Sequence, residues 1–188
     1  MKHKIILASA SPRRKELLKK IVSKFRVITS GVDEARISAA SPVSFARKAA
    51  ICKARAVAAK YKSSIVIGAD TIVLLGQKII GKPKNQKDAI AMLKSLAGKT
   101  HKVITGIAVI FPGLKIVSRV AATRVKMNKV SDQEILDYVK SGRPLDKAGA
   151  YGIQEIEEIF INKIEGDYDN VVGLPVRQLQ KILSRIIK

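Results

Sequence analysis

Short continuous apolar runs alternate along this chain with longer stretches whose apolar positions recur at helical spacing. Residues 4–8 form one such run and predict a buried strand. Over 12–22, Leu17, Leu18, Ile21 and Val22 fall on one helical face, and Ser11-Pro12 supplies an N-cap with proline at the first helical position. A second strand is expected over 25–30, ending at Gly31. Ser41-Pro42 repeats the cap-and-proline signal and opens a helix through about residue 61, with an Ala-rich middle suited to close packing. Residues 64–68 read as a fully apolar strand of the kind found inside a parallel or mixed sheet. Extended chain resumes over 72–75, turns at Gly76 and returns over 78–80.

Farther along, 85–96 predicts a helix stopped by Gly98, and strands over 102–111 and 115–127 meet around Pro112-Gly113 as a hairpin. Residues 131–140 predict a helix with Ser131 as cap, Glu134 at the capping-box position and Gly142 beyond its end. A strand over 158–164 and a closing amphipathic helix over 175–187 complete the series. Strand–helix units mixed with a hairpin indicate an α/β fold with a mixed, twisted sheet flanked by helices. One domain over residues 1–188 is expected, since no repeat, low-complexity tract or linker interrupts the pattern. Neither Gly-x-Gly-x-x-Gly nor a P-loop occurs, so the two common nucleotide folds lose support.

Composition narrows the picture. With 4% aromatics, the core must rest on Ile, Val, Leu and Ala. The single Cys52 excludes an intrachain disulfide and points to a reducing compartment, and His3 and His101 are too few for a histidine-rich metal site. The basic head Met1-Lys2-His3-Lys4 has the look of a signal peptide, but the apolar stretch behind it is only about four residues where an exported core needs roughly 7–15. A cytoplasmic protein is therefore expected, with no membrane span, because no apolar run approaches roughly 20 residues. The net charge of +21 admits three readings: a nucleic-acid or membrane surface, a polyanionic small substrate, or a solvated basic surface in a lysine-rich chain. Scarce aromatics argue against a stacking platform for single strands.

Several constellations carry candidate chemistry. In Ser9-Ala10-Ser11-Pro12-Arg13-Arg14, a strand passes through a hydroxyl-bearing turn into a helix N-terminus, whose free N–H groups suit phosphate. Arg13 and Arg14 add bidentate donors, although an ordinary capped helix with two surface arginines has the same sequence. In Gly68-Ala69-Asp70-Thr71, a carboxylate at the end of a buried strand is placed to orient a water, bind a divalent metal, or do both; a buried Asp capping a turn is the plain alternative. Asp33-Glu34 suits magnesium-type coordination, or is a solvated acidic turn. Lys53 lies among Ala49, Ala50, Ala54 and Ala56 on a face that predicts burial, where a charge requires a partner. Lys82 in Gly81-Lys82-Pro83 and Lys147 in Asp146-Lys147-Ala148-Gly149 stand in tight contexts, although with 36 basic residues most lysines must be plain surface. The segment Ala150-Tyr151-Gly152-Ile153-Gln154 offers an amide between small residues, a weak signal for a loop that reads a base edge.

In this order, these segments resemble the Maf family of nucleotide pyrophosphatases over essentially the whole chain. Thr105-Gly106, Ile164-Glu165-Gly166-Asp167-Tyr168 and Asn170-Val171-Val172-Gly173-Leu174-Pro175 extend the match. The resemblance implies a Maf/Ham1-like fold with two lobes around a cleft. It also implies hydrolysis between the α- and β-phosphates of a nucleoside triphosphate, with a divalent cation (Mg, Mn or Co). Asp70 matches the family's proposed general base, and Glu34, Lys53 and Lys82 match its other active-site positions, with Glu34 and Asp70 as metal ligands. Ser9, Arg13, Arg14, Thr71 and Gln154 fall at substrate-binding positions.

Arg13, Thr71 and Gln154 together resemble the branch acting on dTTP and UTP, with modified pyrimidine nucleotides in its range and pool house-cleaning as its role. The branch acting on 7-methyl-GTP carries an aromatic, a Gln and a Glu at the corresponding places. One departure is visible: Glu155, followed by Ile156-Glu157-Glu158, stands where relatives have Gly, which puts that loop and nearby anion binding in question. The partner implied is a small nucleotide; nucleic acid is disfavoured, and a homodimer is in line with relatives. Two alternatives remain open: a Ham1-like ITP/XTP pyrophosphatase, and a basic nucleic-acid-binding regulator of septum formation.

Overall fold

Capping residues and apolar runs set the elements of the fold. The computed structural model describes residues 3–184. In chain order it contains β1 Ile5–Leu7, α1 Pro12–Lys19, β2 Arg26–Val27, α2 Pro42–Ala58, β3 Ile65–Leu75, β4 Lys78–Ile80 and α3 Gln86–Leu96. Then follow β5 Thr100–Ile110, β6 Ile116–Met127, α4 Asp132–Lys140, α5 Ile153–Phe160, β7 Ile161–Glu165, α6 Tyr168–Val172 and α7 Val176–Leu183. Short 3-10 turns at Glu34–Arg36, Arg143–Asp146 and Ala148–Ala150 lie in the connections. The sheet order is β2-β1-β3-β5-β6-β7, with β4 paired to β3. β1 is parallel to β2 and β3, whereas β4 on β3 and β7 on β6 are antiparallel, so the sheet is mixed as expected.

The predicted caps form. Ser11 accepts from the Arg14 N–H at 3.4 Å, and Ser131 and Glu134 make a reciprocal capping box. Ser41 does the same with Ser44; Asn85, expected as the first helical residue, is instead the cap of α3 and accepts from the Asp88 N–H at 2.9 Å.

Four expectations need correction. α1 stops at Lys19, and Ile21 and Val22 lie past its C-cap, although Val22 is still buried. β2 holds two exposed residues, not the six of 25–30, as befits an edge strand; only Ile28, whose N–H donates to the Leu7 carbonyl at 3.0 Å, continues the pairing before polar Thr29 and Ser30. The runs 64–68 and 72–75 are one strand, β3, which passes through Asp70-Thr71 without a break. The strand expected from 158 begins only at Ile161. Ile153, Ile156 and Phe160 are buried at helical spacing and make the preceding segment α5. Gln154 consequently sits on a helical turn and not in a loop wall. The last part of the closing helix, 185–187, lies outside the described residues.

The chain divides into two compact units. The first comprises Met1–Thr71, Thr105–Ala121 and Gly173–Lys188. Its core gathers Ile6 and Ala8, Ala50, Ala54 and Val57 of α2, Val66 of β3, and Ala108 and Ile110 of β5. Small residues dominate because α2 lies directly on the sheet. A Cβ built on Gly68 would stand 2.3 Å from the Ala50 carbonyl oxygen, and one on Gly106 would stand 2.2 Å from that of Ala46. Absence of a side chain at these two glycines lets the backbones touch, and this fixes the height of α2 above the strand that carries Asp70.

The second unit comprises Ile72–Ile104 and Ala122–Val172. Here α3 packs on α4 around Leu93, Leu96, Ile135 and Val139. His101, 1% exposed, meets the Tyr151 hydroxyl through Nε2 at 2.6 Å, while Nδ1 has no partner among the described residues. Burial pushes its pKa down from 6.5 to about 4. The folded protein thus refuses a proton that the unfolded chain accepts, so stability from this group is present above pH ~6.5 and drains as pH falls toward ~4. The full loss is on the order of 3 kcal/mol. Urea melts between pH 7 and 4.5 are expected to show a steeper acid loss for the wild type than for His101→Phe; parallel profiles would contradict this assignment.

Candidate functional site

α2 begins at its Ser41 cap and carries Lys53 three turns in, on the buried Ala49–Ala50–Ala54 face. β3 brings Asp70, 3% exposed, beneath that face. The 3-10 turn Glu34–Arg36 begins at its Asp33 cap and presents Glu34, whose side chain is 43% exposed. The three side chains meet: Lys53 Nζ donates to Asp70 Oδ1 at 2.6 Å and pairs with Glu34 Oε1 at 2.6 Å. Asp70 Oδ2 is buried and has no hydrogen-bond partner among the described residues. One ammonium thus serves two carboxylates, and one carboxylate oxygen is left as an unused acceptor in a desolvated position.

Beside this trio lies a second network. Arg14 donates from Nε to the Gly173 carbonyl (2.9 Å), from Nη1 to Ser9 Oγ (3.3 Å) and from Nη2 to Thr71 Oγ1 (3.0 Å). Ser9 Oγ also accepts from the Ser11 N–H, and Thr71 Oγ1 lies 2.9 Å from Thr105 Oγ1. Burial lowers the Arg14 pKa, opposed by the charges of Asp70 and Glu34, while Arg13 adds to the lowering. Arg14 is therefore turned inward as a brace between α1, β3 and the Gly173 turn, and is not a freely extended phosphate clamp. The sequence does not mark Thr105 or the Gly173 carbonyl as site residues, because partners of this kind are set by long-range packing.

Ser9, Arg13, Arg14, Glu34, Lys53, Asp70 and Thr71 all belong to the first unit, whereas Lys82 and Gln154 belong to the second. Lys82 is exposed in the irregular connection between β4 and α3, where the Gly81 carbonyl accepts from the Gly149 N–H at 2.9 Å and couples it to the 146–150 segment. Gln154 is exposed on the first turn of α5. Next to it, Glu155 accepts from the Tyr138 hydroxyl (2.8 Å) and pairs with buried Lys147 (3.1 Å), and the same hydroxyl accepts from the Gly152 N–H. Glu155 is therefore spent on bracing the Gly152 turn. Its charge is compensated by Lys147, which also meets Asp146 and the Arg143 carbonyl.

The acids of the first unit are Glu16, Asp33, Glu34 and Asp70 alone. Each is ion-paired: Glu16 with Lys19, Asp33 with Arg36, and the other two with Lys53. Among the described residues, no group of three or more His, Cys, Asp and Glu side chains gathers into a metal cage. Two carboxylates, one with a buried and unengaged oxygen, do match the donor set of a hard divalent cation that completes its shell with substrate and water oxygens. No helix among the described residues is long and apolar enough to cross a membrane.

Comparison with known proteins gives a consistent result. A family model described as Maf-like protein matches residues 4–186. A dTTP/UTP pyrophosphatase of Koribacter versatilis is 47% identical over 181 residues, covering 96% of this chain and 93% of that protein. A dTTP/UTP pyrophosphatase of Dictyoglomus thermophilum is 46% identical over 188 residues, covering 99% and 97%. Among solved structures, the Staphylococcus aureus Ham1 protein superposes with a TM-score of 0.54 at 17% identity, over 97% of this chain and 98% of that one, a likeness of fold.

Proposed function

The chain belongs to the Maf-like protein family, and on that premise we propose that it is a nucleoside triphosphate pyrophosphatase acting on dTTP and UTP. The products are the nucleoside monophosphate and pyrophosphate, and the role is cleansing of the nucleotide pool in the cytoplasm. The observation that carries this reading is the trio Asp70–Lys53–Glu34, with its unengaged Asp70 oxygen in the middle of β3.

In the proposed reaction, water attacks the α-phosphorus, the bond to the bridging oxygen of the β-phosphate breaks, and Asp70 takes the proton from the water. Lys53, Lys82 and Arg13 offset the charge of the triphosphate. Glu34 and Asp70 are the residues that would hold a divalent cation, whose contribution when bound is to draw charge from the phosphate oxygens. Arg14 acts through Thr71 and Ser9, to which it donates, and so sets the shape of the substrate wall. Arg13, Thr71 and Gln154 are assigned to choice of base; the Gln154 amide suits the carbonyl and N–H on a pyrimidine edge.

Pyrophosphate release across a nucleotide panel tests this. dTTP and UTP are expected to exceed 7-methyl-GTP and ITP by roughly tenfold or more in kcat/KM, with release abolished by EDTA. A preference for 7-methyl-GTP would reassign the base pocket, and a preference for ITP would favour the purine alternative.

A further inference from the structure

We infer that Lys53 is the resident counter-cation of the Glu34–Asp70 pair, and that a divalent cation entering this pair drives the Lys53 ammonium out. The inference rests on the reading above, in which the two carboxylates take a metal. Lys53 Nζ stands 2.6 Å from Asp70 Oδ1 and 2.6 Å from Glu34 Oε1, so it already occupies the position from which one cation contacts both oxygens. Its side chain is 10% exposed and that of Asp70 is 4% exposed, so little water screens a second positive charge brought to the Asp70 oxygen, although the Glu34 side of the pair is 43% exposed. The Lys53 backbone is not free to retreat. Its neighbours Ala50 and Ala54 press on Gly68, where even a methyl group would not fit. Adjustment must come from the four-carbon stem, which is long and flexible enough to carry the ammonium away while α2 stays in place.

The rival arrangement has a metal on the unengaged Asp70 Oδ2 with Lys53 still bound to Oδ1, holding the carboxylates in position. The two differ in what the lysine does. Under exchange, Lys53 offsets part of the pair's charge only until a metal arrives, and is then released as a donor for the phosphate oxygens that come with it. Under joint occupancy it never leaves.

Amine acylation of the wild-type protein, read at single residues by peptide mass spectrometry with no nucleotide present, separates them. Lys53 labelling is expected to rise about tenfold on saturation with Mg²⁺, while Lys147, buried in its own ion pairs, stays constant. Unchanged or reduced Lys53 labelling overturns the inference. Calorimetric titration with Mn²⁺ gives a second reading: Lys53→Met is expected to bind roughly tenfold more tightly than wild type, since the competing charge is gone. Equal or weaker binding, or no binding to either form, overturns it as well. Failure of the functional reading shows separately, as no pyrophosphate release from any nucleotide.

Discussion

Asp70→Asn is expected to reduce kcat for pyrophosphate release by about a thousandfold, the middle of the range for removal of a positioned general base. The amide keeps the shape of the carboxylate and its place on β3, so the change falls on the unengaged Oδ2 position, which loses its ability to take a proton. Lys53 keeps Glu34 as a partner, so the buried ammonium is not stranded and the fold should survive at a modest cost. Activity normalised to the folded fraction, taken from melts under the same conditions, isolates the chemical step. Turnover above about a tenth of wild type would place the base elsewhere.

The largest expected effect on stability lies away from that carboxylate, at Gly106. A Cβ there would stand 2.2 Å from Ala46 O, 2.4 Å from Ala46 C and 2.8 Å from Arg47 N. These are backbone atoms of α2 and cannot rotate aside, so the helix must lift from the sheet or the strand must bend. Overpacking of this kind costs about 3 kcal/mol, equivalent to a fall in Tm of roughly 10 °C for a chain of this size. Gly81→Ala is the control. Nothing lies within 4 Å of a Cβ there, and Tm should hold within about a degree. A Gly106→Ala protein that melts with the wild type would refute the contact between α2 and the sheet.

These two residues mark how far the sequence can be read. Asp70 is legible because a carboxylate closing a fully apolar run is costly to bury without a partner or a task, and the order of motifs around it is specific. The Ser11, Ser41 and Ser131 caps are legible for a local reason: capping depends on residues three apart in the chain. Gly106 is visible only as part of a matched motif. Nothing near it in sequence reports that a helix some sixty residues earlier lies against it. The same limit hides the inward turn of Arg14, whose partners Thr71 and Gly173 are brought to it by the sheet. Segment 153–160 misleads for a different cause. Ile-Gln-Glu-Ile-Glu-Glu-Ile-Phe leads directly into a strand, and no turn residue marks where its helical spacing gives way to extended chain. Glu155, an apparent threat to anion binding, is compensated by Lys147, an interaction that depends on the fold of the second unit.

The pairing of every acid in the first unit has a kinetic consequence. Glu16 and Asp33 each meet a cation of their own and Glu34 and Asp70 share Lys53, while the unit's many lysines and arginines far outnumber these four acids, so it carries a large positive excess. A multiply charged anion diffusing past meets attraction out to about 8 Å at physiological ionic strength, the distance at which salt screens it. Encounter is then hastened for any nucleoside triphosphate, whichever base it carries, and slows as salt is added. Discrimination among bases then falls after encounter, in how long each nucleotide stays and how fast it reacts once there.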